Sequence, residues 1–270
     1  MKKILLKAVT VPLLLVYLAA GLWFMTLQGC SLFKKHYEKT EVKDFTVNSA
    51  DKKKLFLDNV NGNVKILKNT SGDNVRIKAE ITAYVTKKEL DKPLDEFKIL
   101  IDSTGDKINI RSERIKEKHF FNFSIGNSDR VNYEIYVPSN LEVSVENTNG
   151  KLYFEDIENN IKVNQTNGNI SVKRITGETK FDITNGKFEG DIDSIKSLKL
   201  NIVNGNVTLN LDEKISAKFN VSTVNGKVTK KDLPFTYTED DKKSFSGTLG
   251  KGDAEIKIDV VNGKINLNKK

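Results

Sequence analysis

Apolar residues recur at fixed offsets around an Asn-Gly dipeptide that occurs seven times, at Asn61-Gly62, Asn149-Gly150, Asn167-Gly168, Asn185-Gly186, Asn204-Gly205, Asn225-Gly226 and Asn262-Gly263. From Asn149 the spacings are 18, 18, 19 and 21 residues, and the last step of 37 is close to two units with the intermediate dipeptide missing. The positions six and four before each asparagine, and three and five after it, are apolar in most units. They are Leu55, Leu57, Val64 and Ile66 around Asn61, and Ile161, Val163, Ile170 and Val172 around Asn167. Around Asn204 they are Leu198, Leu200, Val207 and Leu209, and around Asn262 Ile256, Ile258, Ile265 and Leu267. A spacing of two within each arm is that of a strand with one buried face. Intervening Lys, Asn, Thr, Ser, Glu and Asp mark the wet face. Each unit therefore predicts strand, Asn-Gly turn, strand, and a period near 19 predicts a repeat architecture.

Two all-β architectures fit this unit. In an up-and-down β-meander each Asn-Gly is a type I′ hairpin turn and adjacent arms pair antiparallel. In a β-solenoid each unit of about 19 residues is one coil of a single β-helix or β-roll, and every strand pairs with the same strand of the next coil about 4.8 Å away. The residue two before the asparagine is polar at Asn59, Asn147, Gln165 and Thr223, and apolar at Ile183, Ile202 and Val260. A hairpin would turn this position toward the core, so its polarity favours the solenoid over the meander. The seven dipeptides are then structural turns, with the asparagines in αL geometry and stacked as an amide ladder between coils. On this reading Asn185→Ala combined with Gly186→Ala destabilises the array well beyond a surface substitution.

The array is most regular over 141–270, and Asn61 shows the same offsets, so residues 48–270 read as one continuous β-repeat domain. Within it the stretch 73–140 is strand-rich but irregular, with alternation at 75–81, 97–101 and 107–110. Lys87 to Asp95 reads as a short helical turn stopped by Pro93, or a surface insertion. Residues 31–47 read as a tether.

Several segments resemble the bacterial "putative adhesin" family of β-strand repeat domains of unknown function. They are Tyr133-Glu-Ile-Tyr-Val-Pro138, the run from Leu141 through Asn149-Gly150-Lys-Leu, the repeated Thr-Asn-Gly and Val-Asn-Gly turns, Phe245-Ser-Gly-Thr-Leu-Gly-Lys-Gly252, and Ile256 through Asn262-Gly263-Lys-Ile. The likeness covers roughly residues 45–270. It implies a β-helical, envelope-anchored module, often found with cell-envelope stress regulators, and it carries over no catalytic residue, because the shared pattern consists of turn and core positions.

The N-terminus supplies an address. Met1 to Lys7 holds three lysines and no acid, and Ala8 to Phe33 is 26 residues without a charged side chain. This is the n-region and h-region of a secretory signal. The run reaches Leu27-Gln28-Gly29-Cys30, which resembles the lipobox of bacterial lipoproteins and makes Cys30, the sole cysteine, the lipidation site. Residues 1–30 are thus a signal peptide with lipobox. With a long h-region containing Pro12, an uncleaved single transmembrane helix is the alternative. Either one places the rest of the chain outside the cytoplasmic membrane, anchored to it.

Charge and composition narrow the chemistry. The whole chain carries +8, but the part beyond Cys30 has 41 basic against 36 acidic side chains, a net +5. Five arginines and alternating lysines and acids describe a solvated surface with a slight attraction to anionic lipid or wall polymer, so no nucleic-acid partner is expected. One cysteine and two histidines, His36 and His119, exclude a disulfide framework and a zinc finger and leave little for histidine catalysis. No metal site and no cofactor are expected. Asp191 with Asp193, and Glu239-Asp240-Asp241, lack calcium-loop spacing and read as solvated turns. His119-Phe120-Phe121-Asn122-Phe123 is the densest aromatic patch of the exported part, either half-buried in a strand or exposed to a ligand. The expectation is a non-enzymatic, envelope-anchored β-repeat protein presenting a polar surface to a cell-wall polymer or an envelope protein. The alternatives are an accessory or sensor of an envelope stress response at its own membrane, and a polysaccharide-processing enzyme using two carboxylates about 5–9 Å apart.

Overall fold

The computed structural model describes residues 37–114 and 129–270. Cys30 with its apolar run, His36, and His119 to Phe123 lie outside those residues. Among the described residues no helix is long and apolar enough to cross a membrane. The chain divides into two compact units. One comprises Thr40–Ala83 and Pro93–Lys270, and the described residues of the other are Tyr37–Lys39 and Tyr84–Lys92. The smaller holds a 3-10 turn, Lys87–Glu89, where a helical turn was expected, and the Thr86 amide donates to Glu89 Oε2 at 2.8 Å.

The described chain begins β1 (Tyr37–Asn48), β2 (Lys54–Asn61), β3 (Val64–Lys68), β4 (Asn74–Val85), β5 (Phe97–Asp102) and β6 (Lys107–Arg114). Most of the segment read as a tether thus lies in a strand. After residue 129 come β7 (Arg130–Val137), β8 (Glu142–Asn149), β9 (Leu152–Glu155), β10 (Ile161–Asn167), β11 (Ile170–Lys173), β12 (Glu178–Asn185) and β13 (Phe188–Ile192). The chain closes with β14 (Ser197–Asn204), β15 (Val207–Leu211), β16 (Ala217–Asn225), β17 (Val228–Lys231), β18 (Thr236–Asp240), β19 (Ser244–Leu249), β20 (Ala254–Asn262) and β21 (Ile265–Lys269).

Successive strands of the array alternate between two sheets and pair in parallel with the strand two further on, as β8, β10, β12 and β14 do in one sheet and β9, β11, β13 and β15 in the other. This is a β-solenoid; a meander would require antiparallel neighbours. The coils do not stack wholly in chain order. Their order is β6/β7, β2/β3, β8/β9, β10/β11, β12/β13, β14/β15, β20/β21, β16/β17. Each terminal coil is inserted one place in from the end. The 37-residue step before Asn262 is therefore not two units with a lost turn: its extra length forms β18 and β19, of which β19 pairs antiparallel with β16 and β18 with β19, before the chain returns as β20 on the other side of β16. At the opposite end β4 lies antiparallel on β7 and β5 on β6.

The four expected core rows are buried, with Leu57, Val163, Phe181, Leu200 and Ile258 all inaccessible to solvent. The row two before the asparagines is buried as well, polar members included: Asn59 is 1% exposed, Asn147 3% and Gln165 3%. The inference that polarity there signals a position off the core is overturned. In a parallel stack each side chain meets its equivalent in the next coil, so an amide finds an amide. Asn59 Nδ2 donates to Asn147 Oδ1, and Asn147 Nδ2 to Gln165 Oε1, both at 2.9 Å. Gln165 Nε2 then reaches the carbonyls of Asn167 at 2.7 Å and Gly150 at 3.0 Å. Asn147→Ala is expected to cost about 2–3 kcal/mol, because it strands a buried amide on each side. Denaturant unfolding measures this, and a cost below about 0.5 kcal/mol, the level of an ordinary surface change, would remove the amide row from the stabilising features.

A further buried row went unread in the sequence. Ile157, Ile175, Ile195 and Ile215 lie eight to eleven residues after their asparagines and fill the far corner of successive coils. At the cap, Lys230 pairs in register with the core residue Leu267. Its ammonium lies 4.8 Å from the Tyr237 ring centre and 4.7 Å from that of Phe245, and it pairs with Asp240. Phe235 meets Phe219 and Phe245 edge-on at 5.0 and 5.1 Å. This cluster closes the core where no further coil follows.

Candidate functional site

The parallel register brings all seven asparagines into one row, in the spatial order 61, 149, 167, 185, 204, 262, 225. Each Nδ2 donates to the Oδ1 of the preceding member: Asn149 to Asn61 at 2.8 Å, Asn167 to Asn149 at 3.0 Å, and Asn185 to Asn167 at 3.0 Å. Asn204 donates to Asn185 at 2.9 Å, Asn262 to Asn204 at 2.8 Å, and Asn225 to Asn262 at 2.8 Å. The adjoining backbone bonds run the other way, as in Gly186 N–H to the Asn204 carbonyl at 3.0 Å. The two series of amide dipoles therefore oppose, and the edge gathers no large macrodipole.

None of the seven asparagines has a positive φ. The αL geometry expected of them is absent because each is the last residue of a strand and keeps its place in the parallel ladder. In six of the seven turns the reversal falls on a glycine of positive φ, +154° at Gly186 and +140° at Gly168, with Gly226 the exception. The glycines also stack. A Cβ on Gly186 would stand 1.8 Å from the carbonyl oxygen of Gly168, and one on Gly205 1.6 Å from that of Gly186.

One residue before the asparagines a β-branched row runs Val60, Thr148, Thr166, Thr184, Val203, Val261, Val224, exposed except at the half-buried Thr148, with Val203, Val261 and Val224 at 44%, 41% and 60% exposure. Beside it lie Asn164, Asp182, Asn201, Asp259 and Ser222, and a shallow groove of about 630 Å³ covers both rows from the Asn167 coil to the Asn225 coil. Its carboxylates are tied. Asp182 pairs with Lys180 at 2.8 Å and accepts from Asn201 Nδ2 at 2.6 Å; Asp259 pairs with Lys257 at 3.7 Å and accepts from Ser222 Oγ at 2.8 Å. Partial burial pushes the Asp182 carboxyl up, but the bonds from Lys180 and Asn201 outweigh it and hold the group below the usual carboxylate range.

The acidic pairs read as solvated turns are engaged by neighbours. Asp191 accepts from Asn210 at 2.8 Å, Asp193 from Lys270 at 2.6 Å, and Glu239 from Ser244 at 3.0 Å, while Asp240 holds Lys230. Among the described residues no group of three or more His, Cys, Asp or Glu is arranged to hold a metal ion.

The Toastrack DUF4097 family matches this chain twice, over residues 53–188 and 142–268. No curated protein matches it. Among solved structures, a protein from Clostridium sporogenes ATCC 15579 described as a "putative cell adhesion protein" shares 17% identity over 87% of this chain and 100% of its own, with a TM-score of 0.48. A "putative adhesin" from Bacteroides fragilis NCTC 9343 shares 14% over 86% and 97%, with a TM-score of 0.35. A "putative lipid binding protein" from Parabacteroides distasonis ATCC 8503 shares 12% over 85% and 96%, with a TM-score of 0.33.

Proposed function

The chain belongs to the Toastrack DUF4097 family, and from that premise we propose that it is a non-enzymatic binding module. It is anchored outside the cytoplasmic membrane through Cys30 or an uncleaved N-terminal helix, and it presents its turn edge and the adjoining groove to a cell-wall polymer or an envelope protein. The observation that carries this reading is the unbroken line of seven Asn-Gly turns with an exposed row beside it. The buried amides inside are consumed by folding, whereas the turn asparagines each keep an N–H beyond the one spent on the ladder. A catalytic reading is less well supported by the groove, since a glycosidase acid needs a raised pKa and Asp182 is held low. A stiff stack advancing about 4.8 Å per coil suits recognition of an extended partner.

Protease shaving of intact cells expressing the full chain and its Cys30→Ala variant tests the anchor, and cosedimentation of the full chain with isolated cell walls tests the binding role. We expect the wild-type domain to be cleaved from outside and to sediment with walls, and the variant to lose membrane attachment. A chain that neither sediments with walls nor crosslinks to any envelope protein would refute the binding role.

A further inference from the structure

We propose that the turn edge is a cationic ledge for a linear phosphate-bearing polyanion lying along the solenoid axis. The proposal rests on the reading of that edge as the binding face. The residues two after the turn asparagines run, in spatial order, Asn63, Lys151, Asn169, Lys187, Asn206, Lys264, Lys227. The alternation has a structural reason. Each of these asparagines turns its Oδ1 to the backbone N–H of the lysine in the next coil, at 2.9 Å for Lys151, 3.0 Å for Lys187 and 2.8 Å for Lys264. Lysines consequently recur every second coil, about 9.6 Å apart, with Lys227 one coil further on.

All four lysines are exposed, and none makes an ion pair among the described residues. Across the seven turns, from the residue before each asparagine to the second residue after it, there are four lysines and no acid. The closest carboxylates along the chain stand two residues away: Asp182 and Asp259 are paired with Lys180 and Lys257, Glu146 accepts from Asn164, and Asp58 and Glu189 flank the line at the Asn61 and Asn185 turns. The four lysines thus form one line of about 24 Å, five coil steps from Lys151 to Lys227. Between the lysines and the β-branched row lie the turn asparagines, whose second N–H groups can donate to phosphate or hydroxyl oxygens. A single phosphate reaches one lysine; a polymer reaches several and gains by effective concentration. The turns offer no aromatic platform, so bases would add nothing.

The test uses full-length protein in detergent, titrated with long-chain inorganic polyphosphate, tripolyphosphate and single-stranded DNA across a range of salt. One variant carries Lys151→Gln, Lys187→Gln, Lys227→Gln and Lys264→Gln. A charge-matched control carries Lys78→Gln, Lys98→Gln, Lys107→Gln and Lys214→Gln, four exposed lysines on other faces. We expect long polyphosphate to bind more tightly than tripolyphosphate and at least as tightly as DNA. The edge variant should lose about tenfold or more in affinity and flatten the log–log salt slope by about 3, with the control within about threefold of wild type. Equal losses in both variants, or no preference for the long chain, would overturn the ledge; tighter binding of DNA than of polyphosphate would replace it with a nucleic-acid surface. Wall cosedimentation separates the two levels: an edge variant that sediments like wild type ends the polyanion proposal and leaves the binding role standing, whereas a wild type that does not sediment counts against both.

Discussion

Gly186→Ala is expected to lower stability by about 4 kcal/mol, combining a backbone forced into a costly φ with an overpacked contact. The φ of +154° is one that a residue with a Cβ rarely adopts, and the added carbon would stand 1.8 Å from the Gly168 carbonyl oxygen. Relief requires the two coils to separate. They are held by the Gly168 N–H on the Asn185 carbonyl at 2.9 Å, and the Gly186 N–H on the Asn204 carbonyl at 3.0 Å ties the displaced coil to the next one, so a local shift would spread along the row. In thermal unfolding about 4 kcal/mol corresponds to a fall of roughly 12 °C for a domain of this size. Asn185→Ala alone should cost about 1 kcal/mol, since its ladder bonds are exposed to water. Gly105→Ala is the informative comparison. That glycine also has a positive φ, +65°, but nothing lies within 4 Å of the place a Cβ would take, so only the conformational cost of about 1 kcal/mol applies. If both glycine variants unfold at the same temperature, the close stacking of turns is not what the glycines are for.

The strand rows and the turns were legible in the sequence because a parallel stack repeats one cross-section, and a repeated cross-section writes its apolar offsets into every unit. The same geometry misled at Asn59, Asn147 and Gln165. Polarity at a single position normally signals water, but in a stack the neighbouring coil supplies the missing partner, so burial of an amide leaves no mark on the individual sequence unit. The corner row of Ile157, Ile175, Ile195 and Ile215 was missed because its distance from the asparagine drifts from eight to eleven residues as the corner loops lengthen. The end of the array did leave a signal. Lys230 stands where other coils carry Ile66, Val172 or Leu267, which is the substitution expected where a core row meets a cap. Of the candidate site, the turns were visible, whereas the lysine alternation required the residue after each glycine to be read as a row of its own.

Coil order was beyond the periodicity, since equal units can stack in any order, and it has the largest consequence for stability. A chain ending at Gly252 is expected to lose its cooperative unfolding transition. In a solenoid stacked in chain order the last coil has one neighbour, and its removal uncovers one interface. Here β20 and β21 have neighbours on both sides, β14 with β16 in one sheet and β15 with β17 in the other. Truncation removes Ile256, Ile258, Val260, Ile265 and Leu267, all at most 2% exposed, whose burial contributes up to about 10 kcal/mol. That is comparable with the whole stability of an ordinary domain. It also breaks the asparagine row between Asn204 and Asn225. The opposing possibility is closure of the gap: the register would allow Asn225 to stack directly on Asn204, with the segment from Asp212 to Ser216 relieved of spanning two coil steps. Differential scanning calorimetry decides between them. A truncated chain with a sharp transition within about 10 °C of the full-length protein would mean that the stack heals, and that the C-terminal coil is an insertion into an otherwise complete solenoid, not the piece that joins its two parts.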